Sequence, residues 1–340
     1  MTWDRAMPAR PVVVVVGATG AVGVEMLKVL AQRAFPASQV RVLASSRSAG
    51  KRVPFADAEL VVEEMTDASF DGVDIALFSA GAEVSKRFRE AVTSAGAVMI
   101  DNSSAFRMED GVPLVVPEVN PGDAALHSGV IANPNCSTIQ MVVALAPLTA
   151  LAPIRRIVVS TYQAASGAGQ AAMDELYEQS GDFLAGRAFE AQQFAHRIAF
   201  NCIPQIDVFM EDGATKEEWK MVVETRKIMH LPNVAVSATC VRVPVLRCHS
   251  ESVNVEFGGP VSVEAARAAL SEARGIVVMD DPTSQLYPMP GLLEGTDATY
   301  VGRLRRDSGV ASGLAFWVVA DQLRKGAALN AVQIAELLLP

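Results

Sequence analysis

The sequence predicts an α/β fold: a doubly wound parallel sheet first, an α+β half after it, and a helical C-terminus that returns to the first half. Three observations lead there. Pro11–Val16 is an unbroken β-branched run that stops at a glycine cluster. Strand and helix patterns then alternate to about residue 150. Beyond Ile154, long strand runs dominate, with few helices between them.

Each element has its own reason. Pro11–Val16 lacks polar alternation, the pattern of a strand buried on both faces. It breaks at Gly17-Ala18-Thr19-Gly20-Ala21-Val22-Gly23, and a helix follows with Val22, Met26, Val29 and Leu30 on one face. Val40–Ala44, Val73–Ser79 and Ala97–Asp101 read as the second to fourth strands, Leu114–Val116 as a fifth, and Glu83–Ala95 as a helix between strands. In the second half, Arg155–Gln163 is a strand and Ala164–Gly169 a small-residue loop leading to a helix from about Gln170. Lys216–Met229 is an amphipathic helix, and Val234–Val245 and Ser252–Phe257 are strands. Segment 258–309 gives no decisive pattern, its stretch Asp280–Gly295 reading as a loop, and Ser312–Leu339 reads as mostly helical. The expected division is a Rossmann-type nucleotide-binding domain at 8–135, completed by 312–340, with a second domain at 136–311.

Composition removes several function classes. The chain has 340 residues, 50% hydrophobic and 20% charged, so it can bury large cores and is not disordered. Its net charge of −9 argues against nucleic acid as a partner. Met1–Pro8 has no apolar signal core, and the longest apolar stretch, Met141–Leu151, is too short to span a bilayer. Cys136, Cys202, Cys240 and Cys248 show no metal-binding spacing. The expectation is a cytoplasmic protein with reduced thiols, no membrane partner and no metal.

The glycine cluster joins a strand to a helix with the spacing G-x-x-G-x-x-G. Glycines there allow backbone to approach a pyrophosphate, which faces the helix N-terminus. Gly17, Thr19, Gly20, Ala21 and Val22 are the candidate contacts. The second strand ends in Ala44-Ser45-Ser46-Arg47-Ser48-Ala49-Gly50-Lys51, with no acidic residue for a ribose 2′-hydroxyl. Arg47, beside Ser48, suits a 2′-phosphate instead, which predicts NADP.

Cys136 lies in Asn133-Pro134-Asn135-Cys136-Ser137-Thr138, just ahead of the apolar run from Ile139. Pro134 forces Asn133 into an extended conformation, and the residues around the cysteine are of helix-capping types. The thiol is therefore expected at a helix N-terminus, where partial positive charge favours thiolate. A thiolate nucleophile together with a nicotinamide cofactor points to aldehyde or acyl chemistry.

The chain resembles the aspartate-semialdehyde dehydrogenases. The resemblance rests on Gly17–Gly23, Asp101–Arg107, Val116–Asn120, Asn133–Thr138, Thr161–Gly167, Glu217–Lys220 and Arg242–Ser250, in order along nearly the whole chain. It implies Cys136 as nucleophile, His249 as acid/base residue, Gln163 as a substrate-orienting residue and Asn135 as an oxyanion donor. It implies Arg242 for the substrate α-carboxylate, Glu217 for its ammonium, and Arg107 and Lys220 for phosphate. Ser166, Gly167 and Gln322, the last in the closing helix, match cofactor-contacting positions. It also implies catalysis and homodimer formation through the second domain, with a homotetramer possible, and NADPH-dependent reduction of aspartyl 4-phosphate to aspartate 4-semialdehyde on the route to lysine, threonine and methionine. His127, His196 and His230 match no motif and read as surface or packing residues.

Taken alone, Glu217 and Lys220 would read as an exposed ion pair three apart on a helix. Arg242 and His249 carry a geometric condition. Seven residues separate them, so a single regular strand would put their side chains on opposite faces. The strand must bulge, turn or end between them, near Pro244 or Arg247-Cys248. The alternatives are an N-acetyl-glutamyl-phosphate reductase, whose cysteine motif resembles N-P-G-C-Y, a related thioester reductase, and a non-catalytic NADP-binding regulator.

Overall fold

The computed structural model describes residues 5–340, which divide into two compact units. The first comprises residues 5–135 together with Ala327–Pro340, and the second Cys136–Gly326.

In the first unit β1 (Val12–Val16) leads through the glycine turn to α1 (Ala21–Gln32) and β2 (Gln39–Ala44). A hairpin of β3 (Arg52–Phe55) and β4 (Ala58–Val61) precedes β5 (Glu63–Glu64). Then follow β6 (Ile75–Phe78), α2 (Ala82–Ser94), β7 (Val98–Asp101) and β8 (Val130–Ala132). The sheet order is β5-β2-β1-β6-β7-β8, every pair parallel. The order reverses between β1 and β6, so their C-terminal ends form the crevice where such sheets bind nucleotides. Val13, Val15, Ile75, Leu77, Val98 and Ile100 pack with α1 and with α8 (Leu329–Leu337). On the opposite face Phe70 stacks on Phe78 and tilts against Phe88 of α2. The valines Val13–Val16 are fully buried, each contributing on the order of 2 kcal/mol of apolar burial.

The fifth main strand is Val130–Ala132 and not Leu114–Val116. Leu114 makes only an isolated bridge to Ala132. The ladder cannot extend either way from that bridge: Pro113 and Pro134 carry no N–H, and the Val115 carbonyl accepts from Asn330 instead.

The second unit contains α3 (Cys136–Leu145), β9 (Ile154–Gln163), α4 (Gln170–Leu184), α5 (Lys216–Ile228), β10 (Ala235–Arg242), β11 (His249–Phe257) and α6 (Val263–Glu272). It closes with β12 (Ile276–Val278), α7 (Pro290–Leu293), β13 (Thr299–Arg306) and β14 (Gly313–Ala320). The mixed sheet runs β10-β9-β11-β14-β13-β12. Helices α3 and α5 pack together and cover one face, over β11, β14 and β10. Tyr162 and Trp317 lie on the other face, their rings 5.2 Å apart.

Segment 312–340 is not one helical closure. Gly313–Ala320 is a strand deep in the second sheet, and only residues after Gly326 belong to the first unit. This apolar run is buried along nearly its whole length, so it shows no two-residue alternation to separate it from a buried helix.

Candidate active site

The candidate nucleophile begins a helix. β8 ends at Ala132, and Asn133-Pro134-Asn135 carries the chain to Cys136, the first residue of α3. Asn133 fixes this approach. Its N–H donates to the Asp101 carbonyl and its side-chain amide to Asn102 Oδ1, while its Oδ1 accepts from Asn330. Asn135, Ser137 and Thr138 are buried, but Cys136 keeps partial exposure, as a nucleophile requires. Gly326 leaves that space. A Cβ there would stand 2.9 Å from Cys136 Cβ, too close for ordinary packing. Gly326→Ala is therefore expected to displace the thiol and lower kcat on the order of 10²-fold, with the fold retained by circular dichroism. An unchanged kcat would show that the thiol's position tolerates the shift.

Three more side chains meet where β9 ends. Arg242, the last residue of β10, is the parallel partner of Gln163, the last residue of β9. His249 begins β11 on the other side of β9, next to the Ser250–Tyr162 pair. The strand ends at Arg242 and a new one starts at His249, so the seven-residue separation is resolved by the link 243–248. That link is held by Ala165 N–H to the Val245 carbonyl and Ser166 N–H to the Leu246 carbonyl. Cys248, at φ 72°, makes the final corner, and its N–H donates to Gln322 Oε1 at 2.8 Å.

His249 is fully buried. The Ala164 N–H donates to its Nδ1 at 3.0 Å, so Nδ1 must be an acceptor and the neutral ring carries its proton on Nε2. Burial, and then the nearby Arg242 charge, hold the imidazole well below its ordinary pKa, so it is neutral at pH 7. Among the described residues Nε2 has no hydrogen-bond partner. It faces Gly167, where a Cβ would come within 3.1 Å of Nε2 and 2.8 Å of an Arg242 nitrogen. Gly167 thus keeps space open in front of both groups. Arg242 is buried as well, and it donates to the Ala164 carbonyl at 2.6 Å. Burial pushes its pKa down, opposed by the negative charges of Cys136 and Glu217.

Glu217 and Lys220 form a buried pair, with side-chain exposures of 6% and 12%, and not a solvated surface pair. Lys220 Nζ lies 3.0 Å from Glu217 and 2.7 Å from Asp207. Burial disfavours the ammonium, but the two carboxylates outweigh it and raise the Lys220 pKa. Gln163 donates to Glu217 Oε1 at 3.2 Å and also to the Ser137 hydroxyl, beside Cys136. Buried ion pairs contribute little net stability.

The first unit holds the remaining candidates. Gly17 has φ +80°, and a Cβ on it would strike the Ser79 carbonyl oxygen at 2.3 Å. A Cβ on Gly23 would likewise stand 2.2 Å from the Gly17 carbonyl oxygen. Gly20 caps α1 without a side-chain hydrogen bond, leaving the N-terminal amides of a 12-residue helix for an anion. Thr19 is exposed there, and Ala21 and Val22 are half-buried. Arg47 stands exposed on the turn after β2, with Ser48 half-buried beside it. Arg107 is buried, donating from Nε to the Asn133 carbonyl and from an Nη to the Asn102 carbonyl.

Comparison with known proteins decides the family. Residues 12–127 match the profile of the semialdehyde dehydrogenase NAD-binding domain, and 145–325 that of the semialdehyde dehydrogenase dimerisation domain. An aspartate-semialdehyde dehydrogenase of Aquifex aeolicus is 54% identical over 331 residues, covering 96% of this chain and 97% of that protein. The chain belongs to the aspartate-semialdehyde dehydrogenase family. A crystal structure of aspartate semialdehyde dehydrogenase II from Vibrio cholerae complexed with ASA superposes with a TM-score of 0.94. It has 48% identity and covers 97% of this chain and 98% of that one. The enzyme from Candida albicans with NADP gives a TM-score of 0.73 at 26% identity, covering 97% and 98%.

For this aspartate-semialdehyde dehydrogenase family member, some contributors were not visible as motifs. Ala164 holds His249 and Arg242 through backbone groups alone, which leave no residue-type signature. Gly326 sits in a short π-helix, Arg324–Ala328, which no sequence motif marked. Gln322 lies in the connection after β14, ahead of the last helix, and is buried. Its amide is engaged by Cys248 and Ser166. No helix of the described residues is long and apolar enough to cross a membrane, and no metal-binding cluster occurs among them.

Proposed function

We infer that the protein reduces L-aspartyl 4-phosphate to L-aspartate 4-semialdehyde with NADPH, through a thioacyl intermediate on Cys136. The observation that carries this reading is the convergence of Arg242, His249 and Gln163 at the end of β9, in the unit whose α3 begins with the thiol.

The Cys136 thiolate attacks the acyl carbon, and the carbonyl electrons move onto oxygen. That oxyanion re-forms the carbonyl as the bond to phosphate breaks, leaving a thioester, and the departing phosphate takes one proton from solvent. The glycine turn would hold the nicotinamide cofactor, which when bound would supply the hydride that reduces the thioester carbon. The resulting oxyanion on the Cys136 adduct collapses, expelling the thiolate and releasing the aldehyde. Neither oxyanion needs a full proton, so a neutral Nε2–H on His249 suffices as its donor, with Asn135 as a second. Arg242 binds the α-carboxylate and Glu217 the ammonium, with Gln163 orienting the chain between them. Arg107 and Lys220 receive the phosphate.

NADP specificity is carried by Arg47 and Ser48, and the related Candida albicans enzyme with NADP is consistent with it. Gly17, Thr19, Gly20, Ala21 and Val22 would hold the pyrophosphate, and Ser166 and Gly167 would be further cofactor contacts. Replacing Arg47 with Glu is expected to raise the NADPH KM about 10- to 100-fold, the loss of one charge-assisted hydrogen bond, while leaving kcat alone. An unchanged KM would remove Arg47 from the assignment. The match to a dimerisation domain and the Tyr162–Trp317 face support a homodimer through the second unit.

The function itself is tested by phosphate-dependent NADP reduction with aspartate semialdehyde, acetylglutamate semialdehyde and simple aldehydes. Turnover confined to aspartate semialdehyde is expected. Preference for the acetylated substrate would contradict the roles given to Glu217 and Arg242.

A further inference from the structure

Two residues beyond His249 on β11, on the same face of the sheet, Glu251 is completely buried. It stands opposite Thr161 of β9 and Val318 of β14. Thr161 in turn pairs with Cys240 of β10, so the row across the sheet reads Cys240, Thr161, Glu251. Gln140 of α3 comes down on this row from the covering helix layer.

The hydrogen-bond inventory of this spot is incomplete in a specific way. Among the described residues no donor meets hydrogen-bond geometry at either Glu251 oxygen or at Gln140 Oε1, although the Gln140 side chain lies close to the carboxyl group. Gln140 Nε2 donates to the main-chain carbonyl of His249 at 3.4 Å. Among the described residues no cation is paired with the carboxylate. On β10 the neighbour is Cys240, whose thiol is held protonated by burial. On β11 it is His249, held neutral, and α5 presents Glu217 and Glu218, both of the wrong sign. An unpaired carboxylate is among the most costly groups to bury. A single proton between Glu251 and Gln140 Oε1 supplies the missing donor to both.

We propose that Glu251 is a positioning residue held as the neutral carboxylic acid, donating its proton to Gln140 Oε1. This locks the Gln140 amide with its N–H on the His249 carbonyl and fixes the backbone that carries the catalytic ring. Burial, opposed in part by the neighbouring Gln140 side chain, drives the Glu251 pKa well above the carboxylate range and agrees with it. The functional half of the proposal rests on the role given to His249; the protonation half does not.

The test combines infrared spectroscopy and kinetics on the full chain. At neutral pH the wild type is expected to show a protonated-carboxyl C=O stretch that Glu251→Gln removes. The amide of E251Q can donate to Gln140 as the acid does, so kcat should stay within about 3-fold of wild type. Glu251→Leu and Gln140→Leu should lower kcat by about 10-fold or more through a misplaced ring, with the NADPH KM unchanged. If E251L fails to fold, the infrared band and Q140L still decide. Absence of the band, or E251Q falling as far as E251L, would overturn the proposal. A normal band with an unaffected His249→Asn variant would instead overturn the role of His249.

Discussion

Cys136→Ala is expected to lower kcat on the order of 10⁵-fold or more, while NADPH binding stays near wild type. The reason is covalent: without a thiolate at the start of α3, no thioester forms, and direct hydride transfer to an acyl phosphate lacks its activated intermediate. The residue is accessible, whereas Cys240 and Cys248 are buried with pKa values raised by desolvation, the latter to about 12. Neither can substitute. Stopped-flow hydride transfer and NADPH fluorescence titration on the same preparation separate chemistry from binding. Retained turnover in C136A would remove the thioacyl route altogether. Cys136→Ser should be almost as poor, because a hydroxyl is not ionised by a helix N-terminus at neutral pH.

His249→Asn is expected to cost about 10²- to 10³-fold in kcat, the usual magnitude for loss of one oxyanion donor. The ring is fixed by the Ala164 N–H, so Nε2 is the only group it offers. Its pH behaviour follows from the same geometry. Burial and Arg242 depress the His249 pKa, so kcat should show no inflection from this residue near the ordinary histidine value of 6.5. A limb near that value that vanishes in H249N would mean a protonated ring acting as general acid. The same depression links folding to pH. As pH falls through 6.5, the unfolded chain takes up a proton that the folded chain refuses, so stability declines toward acid. H249N should soften that decline in urea titrations at pH 5 to 7.

What the sequence made legible was what local pattern encodes. The valine run, the glycine turn and Pro134 ahead of Cys136 have direct backbone meanings, and the structure places a strand, a tight turn and a helix start there. The seven-residue spacing of Arg242 and His249 required a break, and β10 ends where it was required. What escaped notice depends on distant partners. Leu114–Val116 makes only an isolated bridge because Pro134, opposite it, has no N–H and the Val115 carbonyl is taken by Asn330, both outside that segment. Gly313–Ala320 is buried like a core helix and is a strand only because β11 and β13 flank it. Glu217 and Lys220 look like a solvated pair by spacing, and burial around them, which no spacing reveals, makes them an enclosed one.

The central claim, a covalent thioacyl enzyme at Cys136, is tested most directly by one experiment. Enzyme is mixed with aspartate semialdehyde and NADP in phosphate-free buffer, followed by absorbance and by intact-protein mass spectrometry. The account predicts a rapid burst of one NADPH per active site, an acyl adduct mapped to Cys136, and continued turnover only when phosphate is added. Steady NADPH formation without phosphate, or a burst with the adduct on any other residue, would contradict it.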